Sequence, residues 1–499
     1  MKNITDRISS SKDDILEENL KYYLENTIVT KSAIESRLVH PITRLRYPTR
    51  LAYELLKKYS IDFFTSGSEP RFISLAGLRG VGKTTLLWQT ANYIYQNHHK
   101  KELYFFNVNT LKNLGIPLHI ALEEFQKQIL KKRFHEISKP ITILLDEVHD
   151  DENWSRTLKI LYDEARYAFI LCTGSSALLL NQTADLARRM RTEKIYPFKF
   201  IEFIASKTTL ENGRKLYPVK DVSSDLKEAI FYSDSAQSVY DKMMLINDKV
   251  TKYLEDVAVC TKSRLNDLIE GYVSYQNIPS FLFYNNKYTI NDSILELFKR
   301  VILEDIPKLR PTTTDFMNIE RLVLRLAGSD EINPETLAGI IGVKKDEINE
   351  LIDILAKAEL LNVLRPYGGL DTKIFKNQKA FFMSPSLRRA LLSTLYGQNI
   401  PNHFMSKSIE DIIVMYLKGI LADVVISYSA GIHQSNPDFV IETRDRPVLL
   451  EIGTGKTSTR QIKKSNMKYR YGLLVSNGCS SPILKSDTIL IPLNWFLLL

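Results

Sequence analysis

Cysteine is scarce in this chain: Cys172, Cys260 and Cys479 are the only three in 499 residues. They are too few and too scattered to frame a disulfide scaffold or a zinc cluster, which fits a reducing cytoplasm. Long apolar runs are missing too. Met1 to Asp14 is polar, without the apolar core of a signal peptide. The apolar stretch Ile489 to Leu499 is too short to span a bilayer and is interrupted by Pro492 and Asn494. It reads as a buried strand and helix, so the expected location is the cytoplasm, with no membrane partner. No internal repeat or low-complexity tract stands out. Charge is not strongly one-sided: the net +9 and pI near 9.0 favour a polyanionic partner, but over this length they do not require one. Hydrophobic and charged shares of 44% and 25% are those of an ordinary globular protein, long enough for several domains.

Against that plain background stands Gly77-Leu78-Arg79-Gly80-Val81-Gly82-Lys83-Thr84, a complete G-x-x-x-x-G-K-[ST] loop. Phe72 to Ala76 before it reads as a buried strand, and Thr85 to Gln89 after it opens a helix. In that setting Gly77, Gly80 and Gly82 let backbone N–H groups, with those of Val81 and Thr85, wrap a phosphate. Lys83 reaches the β and γ oxygens, and Thr84 holds Mg²⁺. The loop therefore predicts binding of a nucleoside triphosphate, with ATP and Mg²⁺ as cofactors.

Pattern along the chain predicts an α/β fold in five parts. Residues 1–70 form a helical lead-in, and residues 71–206 alternate strands and helices, the mark of a parallel sheet covered on both faces. The expected strands here are Phe72 to Ala76, Leu103 to Phe106, Ile141 to Leu145 and Ala168 to Cys172, with helices over Ile120 to Lys131 and Trp154 to Tyr167. Residues 207–310 are helical, including a long amphipathic run from Ser238 to Val257. In residues 311–383, helices over Pro334 to Ile341 and Lys344 to Lys357 spell a helix-turn-helix. A strand pair, Leu360 to Pro366 and Lys373 to Phe382, joined through Gly368-Gly369, would complete a winged helix. Residues 384–499 hold a helix over Ile409 to Leu421 and a second α/β pattern.

Ile143-Leu144-Leu145-Asp146-Glu147 is an apolar strand ending in two acids. Asp146 is placed to hold Mg²⁺ through water, and Glu147 to orient the attacking water, so hydrolysis is expected as well as binding. Thr173 and Ser175 close the next strand, as γ-phosphate sensors or as the cap of the following helix. Arg188, Arg189 and Arg191 follow on what reads as a helix. One of them is a candidate arginine finger, in cis or for a neighbouring subunit of a homo-oligomer; a solvated face is the alternative. His149 gives the acid run a DExH look, with no other helicase motif beside it.

With one strand interposed between loop and acids, the pattern resembles the additional-strand ATPases that include the AAA-plus group. Leu145 to His149, Thr173 to Leu180 and Pro197 to Phe203 resemble the AAA-type ATPases of bacteria and archaea that carry a C-terminal domain of uncharacterised function. Tyr272 to Pro279 and Glu304-Asp305-Ile306 resemble further stretches of that family, although Gln276-Asn277 stand where it usually has paired glycines. The resemblance implies an ATPase core, a helical region with a winged helix, and a C-terminal domain like a restriction-endonuclease core. It implies no settled biological role.

That last domain carries its own acids. Pro437 to Ile441 and Val448 to Ile452 read as a hairpin centred between Arg444 and Asp445, which puts Asp438 opposite Glu451 with Cβ atoms about 5 Å apart. Facing carboxylates repel unless a divalent metal or a shared proton intervenes, so the pair is a candidate second metal site. The arrangement resembles a PD-(D/E)xK nuclease core, with Glu410 as a candidate third acid. The expected lysine two residues after the second acid is Gly453, however, so the core is a degenerate one unless Lys456 or Arg460 reaches in. Arg460, Lys463, Lys464, Lys468 and Arg470 trail the site, as phosphate contacts or a solvated face. The would-be reading helix exposes Lys344, Lys345, Asp346, Glu347, Asn349, Glu350 and Asp353, and four acids oppose entry into an anionic groove. Lys373, Lys376 and Lys379 on the wing suit backbone contact better. The leading expectation is a Mg²⁺-dependent ATPase acting on or around nucleic acid. Its alternatives are a nucleotide-controlled switch binding a protein partner, and an ATP-gated metal-dependent DNA nuclease.

Overall fold

The structure is a computed structural model, and it describes residues 2–98, 102–174, 184–218, 221–309, 316–329, 331–429, 436–443 and 445–499. The chain divides into two compact units, Met1–Ile195 and Tyr196–Leu499. No helix among the described residues is long and apolar enough to cross a membrane.

In the first unit the described residues form a five-stranded parallel sheet. Its strands are β1 (Phe72–Ala76), β2 (Leu103–Asn107), β3 (Ile141–Asp146), β4 (Ala168–Thr173) and β5 (Arg191–Lys194), in the order β2-β3-β4-β1-β5. Every residue of β1, β3 and β4 is buried, because these strands are covered on both faces and need apolar side chains at each position rather than at alternate ones. Edge strand β5, with Arg191 and Lys194 exposed, reads polar instead. The other edge, β2, is blunted by residues 27–29: Val29 N–H donates to Leu103 O at 2.9 Å and Phe105 N–H to Thr27 O at 2.8 Å.

Two expectations in this unit shift. The helix expected over 120–131 runs Leu118–Phe125 and ends in a π turn, Gln126–Leu130. Arg191 starts β5 rather than lying on a helix, its guanidinium 2.9 Å from Glu193. An edge strand with a mixed-charge sequence carries no alternation to reveal it.

The second unit begins with helices, Phe200–Asn212 to Lys287–Arg300. The run expected as one helix from Ser238 to Val257 is two, Ala236–Leu245 and Asn247–Thr261. Next come the helices Phe316–Gly328, Pro334–Ile341 and Lys345–Lys357 and a three-stranded antiparallel sheet of β6 (Glu331–Ile332), β7 (Leu361–Leu364) and β8 (Gln378–Phe382), in the order β6-β8-β7. Gly342, at φ 83, ends the second of these helices in the left-handed region that glycine adopts most readily. The β7–β8 connection is not the simple glycine turn expected: it holds a short helix, Leu370–Phe375, and β8 starts only at Gln378. Lys373 therefore sits on a helix and pairs with Glu442 at 2.7 Å, and Lys379 lies over the Tyr428 ring at 5.2 Å. Two of the three lysines assigned to backbone contact are thus engaged within the unit, and the third, Lys376, is exposed.

Six strands, β9 (Val425–Tyr428), β10 (Phe439–Glu442), β11 (Val448–Gly453), β12 (Gly472–Ser476), β13 (Ile483–Lys485) and β14 (Thr488–Pro492), form a mixed sheet in the order β13-β14-β12-β11-β10-β9. Strands β11, β12 and β14 are parallel. The β10–β11 ladder pairs Phe439 with Leu450, Val440 with Leu449 and Ile441 with Val448. Its pairs share the mirror centre expected from the hairpin, and Asp438 lies one residue before β10, next to the position that faces Leu450. The helix His403–Ile420 packs on this sheet, burying Ile412, Ile413, Tyr416 and Leu417 in one core with Leu450, Leu473 and Trp495. Within that helix Asp411 is fully buried and holds Arg388 in a two-pronged pair, Nε to Oδ2 at 2.6 Å and Nη2 to Oδ1 at 2.8 Å.

Candidate nucleotide and metal sites

Strand β1 ends at Ala76, and the loop that follows turns back through Gly80 and Gly82, at φ 82 and 89, where a Cβ would be strained. Gly77 meets a different constraint: a Cβ there would lie 2.3 Å from Ile195 O, whose own N–H donates to Ala76 O at 2.7 Å. The first glycine of the loop is thus also the one that lets the chain after β5 close against β1. Val81 is buried, and Thr84 and Thr85, half-buried, follow Lys83 on the first turn of the helix Lys83–Asn97.

Lys83 is buried and its ammonium donates to the loop's own carbonyls, Gly77 O at 2.8 Å and Leu78 O at 3.3 Å. Thr84 Oγ1 donates to Asp146 at 3.0 Å (Oδ1) and 3.3 Å (Oδ2). Parallel pairing of the strands brings these distant residues together, since β1 and β3 flank β4 and end on the same edge of the sheet. A hydroxyl and a carboxylate oxygen converging there are the hard oxygen donors that Mg²⁺ takes, so the residues fit that ion.

Thr173 is fully buried at the end of β4; its hydroxyl donates to Asp146 Oδ1 at 2.5 Å and accepts the Glu147 N–H at 3.0 Å. Glu147 is held at φ 57, a left-handed conformation costly for a side chain of this size. Its Oε2 lies 3.3 Å from His149 Nδ1. Burial raises the pKa of both carboxyls. The effect is firmer for Asp146, which is 5% exposed, than for Glu147, whose side chain keeps 37%. Of the other candidates, Ser175 lies outside the described residues, Arg188 is exposed, and Arg189 is tied to Asp163 and Asp185 O at 2.8 and 2.7 Å.

Arg50 escaped the sequence reading. It is buried, its Nη1 donates to Val81 O within the phosphate loop, and its N–H bonds Gln89 Oε1 at 3.4 Å. A lone arginine in a helical lead-in carries no pattern that announces such a buttress.

Thr173→Val removes both of its bonds while keeping the shape. We expect turnover to fall about 10–100-fold, the usual loss when a group that orients a metal-holding carboxylate goes, with ATP affinity little changed and Thr173→Ser near wild type. Stopped-flow phosphate release with equilibrium ATP titration checks it; a Val variant at wild-type speed would leave the hydroxyl as a cap only.

In the second unit Asp438 Oδ2 accepts the Ile452 N–H at 2.7 Å. Glu451, 2% exposed, accepts Lys456 Nζ on Oε1, and its Oε2 is buried without a hydrogen-bond partner. Lys456 also bonds Gln461 Oε1. A Cβ on Gly453 would fall 2.3 Å from Lys456 Cβ, so the lysine side chain runs through the space that any other residue at 453 would fill. Burial, then the Glu451 charge, raises the Asp438 pKa; burial raises that of Glu451 against the pull of Lys456. Glu410 adds its charge to Glu451, but among the described residues no group of three or more His, Cys, Asp or Glu side chains gathers in reach of one metal ion. Arg460, Lys463, Lys464 and Lys468 are exposed, with Lys463 Nζ 3.3 Å from Ser486 Oγ, whereas Arg470 is half-buried, its Nη1 3.3 Å from Ser233 O. On the expected reading helix, Lys345 is tied to Glu335 at 2.8 Å.

The loop, its lysine and threonine, and the paired acids on one sheet edge lie within a stretch that can be compared with known families. Residues 69–204 match an AAA domain. This AAA domain, a P-loop ATPase module, spans the phosphate loop, Asp146, Glu147 and Thr173. Residues 279–396 match a domain of unknown function. The uncharacterized protein MJ1637 of Methanocaldococcus jannaschii is 27% identical over 456 residues, covering 90% of this chain and 89% of the relative. Among solved structures, the Thermotoga maritima RuvB Holliday junction branch migration motor is similar at TM-score 0.26 and 14% identity, over 63% of this chain and 89% of that one. The Aeropyrum pernix ORC1 protein in complex with DNA gives TM-score 0.30 and 12% identity, over 72% and 96%. Both scores are too low to carry an argument about what the chain acts on.

Proposed function

We propose that this chain is a Mg²⁺-dependent ATPase whose turnover is coupled to nucleic acid. The observation that carries the ATPase reading is the convergence of Lys83, Thr84, Asp146 and Glu147 on one sheet edge, with Thr84 Oγ1 3.0 Å from Asp146. ATP with Mg²⁺ supplies the transferable phosphoryl group, and Thr84 and Asp146 are the residues that would hold the ion. Lys83 exchanges its loop carbonyls for phosphate oxygens, neutralising charge that grows in the transition state. Glu147 orients the attacking water and takes its proton. Asp146 accepts from the Thr84 and Thr173 hydroxyls, which oppose the upward push of burial on its pKa.

The nucleic-acid part of the proposal rests on the exposed Arg460, Lys463, Lys464 and Lys468 and on the block of three helices and three strands over 316–382, which we read as a winged helix. Paired Lys345 and engaged Lys373 and Lys379 argue for a structural role of that block over base reading. At low salt, duplex or single-stranded DNA should raise ATP turnover, and the rise should fade as salt is added. Turnover unchanged by either strand form would remove this part and favour a switch that binds a protein partner.

The orphaned Glu451 Oε2 and the lysine beside it favour a second reading, in which the β10–β11 acids hold a divalent ion and cut a phosphodiester. Lys456, crossing over Gly453, would then stand in for the lysine missing from β11. Lys456→Ala should slow Mn²⁺-dependent DNA cleavage by about 10²–10³-fold, and adding Gly453→Lys to that variant should return most of it. Mn²⁺ binding followed by electron paramagnetic resonance separates the layers: Glu451→Gln loses the ion, whereas Lys456→Ala keeps it. A wild-type chain that neither binds Mn²⁺ nor cuts has no such site.

A further inference from the structure

A cavity of about 520 Å³ lies in the first unit beside the end of β2. That is within the range of small-molecule sites, roughly 300–1,000 Å³. Tyr22, Tyr23 and Asn26 from the helix Lys2–Glu25 and its exit, Arg37 from the helix Lys31–Leu38, and Phe105 and Asn107 from β2 line it. Among the described residues that line it, Arg37 is the one charged side chain. Its guanidinium rests over Trp88, 5.7 Å from the ring centroid, and the residue is exposed.

We propose that this cavity is a second ligand site, distinct from the phosphate loop, that takes one nucleotide: a planar base between aromatic faces and a phosphate on Arg37. Tyr22, 71% exposed, and Phe105 supply the faces, and a base stacked on an aromatic ring gains about 1–3 kcal/mol. The amides supply both polarities needed for a base edge. Asn26 commits Nδ2 to Tyr22 O at 2.7 Å and keeps Oδ1 as an acceptor; Asn107 commits Oδ1 to Thr110 N–H at 2.8 Å and keeps Nδ2 as a donor. A lipid or aliphatic ligand would bury these amides unpaired, which disfavours it. Arg37's fixed charge favours an anionic end.

The site also touches the hydrolytic edge. Tyr23 OH donates to Asn107 O at 3.1 Å, and Asn107 pairs with Asp146 in the β2–β3 register. Tyr23 and Asn107 therefore link the cavity to the end of β2 beside the Asp146 carboxylate.

Free nucleotide and an unpaired nucleotide within a strand share this chemistry, so the test uses both. In a Lys83→Ala background, which silences the phosphate loop, AMP and a short single-stranded oligodeoxynucleotide are titrated by calorimetry, with the quenching of tryptophan fluorescence as a second readout. Trp88, 4.7 Å from Phe105, is the reporter. Saturable binding is expected for at least one ligand, weakened tenfold or more by Arg37→Ala and by Tyr22→Ala, and partly kept in Arg37→Lys. Both side chains are exposed, so thermal midpoints should not move. Binding of AMP assigns a free nucleotide; binding of the oligonucleotide alone assigns a strand. Absence of both, displacement by inorganic phosphate as readily as by AMP, or affinity indifferent to Arg37→Ala overturns the site.

Discussion

Glu147→Gln should leave ATP bound and stop its hydrolysis, with single-turnover phosphate release about 10²–10⁴-fold slower, the span that general-base catalysis contributes. The amide keeps the size and the left-handed backbone of Glu147, so the Thr173 bond to its N–H survives. Only the ability to accept a proton goes. His149, 3.3 Å from the carboxylate, keeps a partner in the amide oxygen, and the loop residues Lys83 and Thr84 are untouched. Affinity for ATP should therefore stay within a few fold of wild type by calorimetry. Hydrolysis persisting at more than a tenth of the wild-type rate would move the base elsewhere, with His149 the next residue to test.

Asp411→Ala should destabilise the second unit by about 3–5 kcal/mol, because it strands a buried cation. Arg388 and Asp411 are both fully buried, and Asp411 Oδ1 also accepts the Phe382 N–H at 2.7 Å. Arg388 Nη1 in turn donates to Ala327 O at 2.8 Å, at the end of the helix Phe316–Gly328. One ion pair thus ties that helix, β8 and two further helices, and Asp411 adjoins Glu410, whose charge reaches Glu451. Urea denaturation monitored in the isolated transition of this unit should show the loss, and Arg388→Met with Asp411→Leu should recover part of it by replacing a broken pair with an apolar one. A loss under 1 kcal/mol for Asp411→Ala would mean that water reaches Arg388 and the pair is not a structural tie.

Much of this was legible in the chain itself, for a physical reason. Strands β1, β3 and β4 are apolar throughout and bounded by loop residues, so their limits fall within a residue of expectation. The β10–β11 register followed from a short turn between two apolar runs, since a slip by one would turn Phe439 and Leu450 out of the core. What escaped was what periodicity does not encode. The edge strand β5 has no apolar face, and the helix Leu370–Phe375 is too short to show a repeat. Arg50 and the Arg388–Asp411 pair are polar groups whose partners are remote in sequence. The path of Lys456 over Gly453 depended on a loop conformation, although the glycine itself marked where a side chain was absent.

On the proposed function, the first unit turns over ATP through its phosphate loop and the Asp146-Glu147 pair. Release of labelled phosphate from γ-labelled ATP, measured with and without Mg²⁺ for wild type and Lys83→Ala, tests it most directly. Mg²⁺-dependent release is expected from wild type and none above background from Lys83→Ala, which also fails to bind ATP. Equal release by the two proteins, or none from wild type that binds ATP with Mg²⁺ in the presence of DNA, would contradict it.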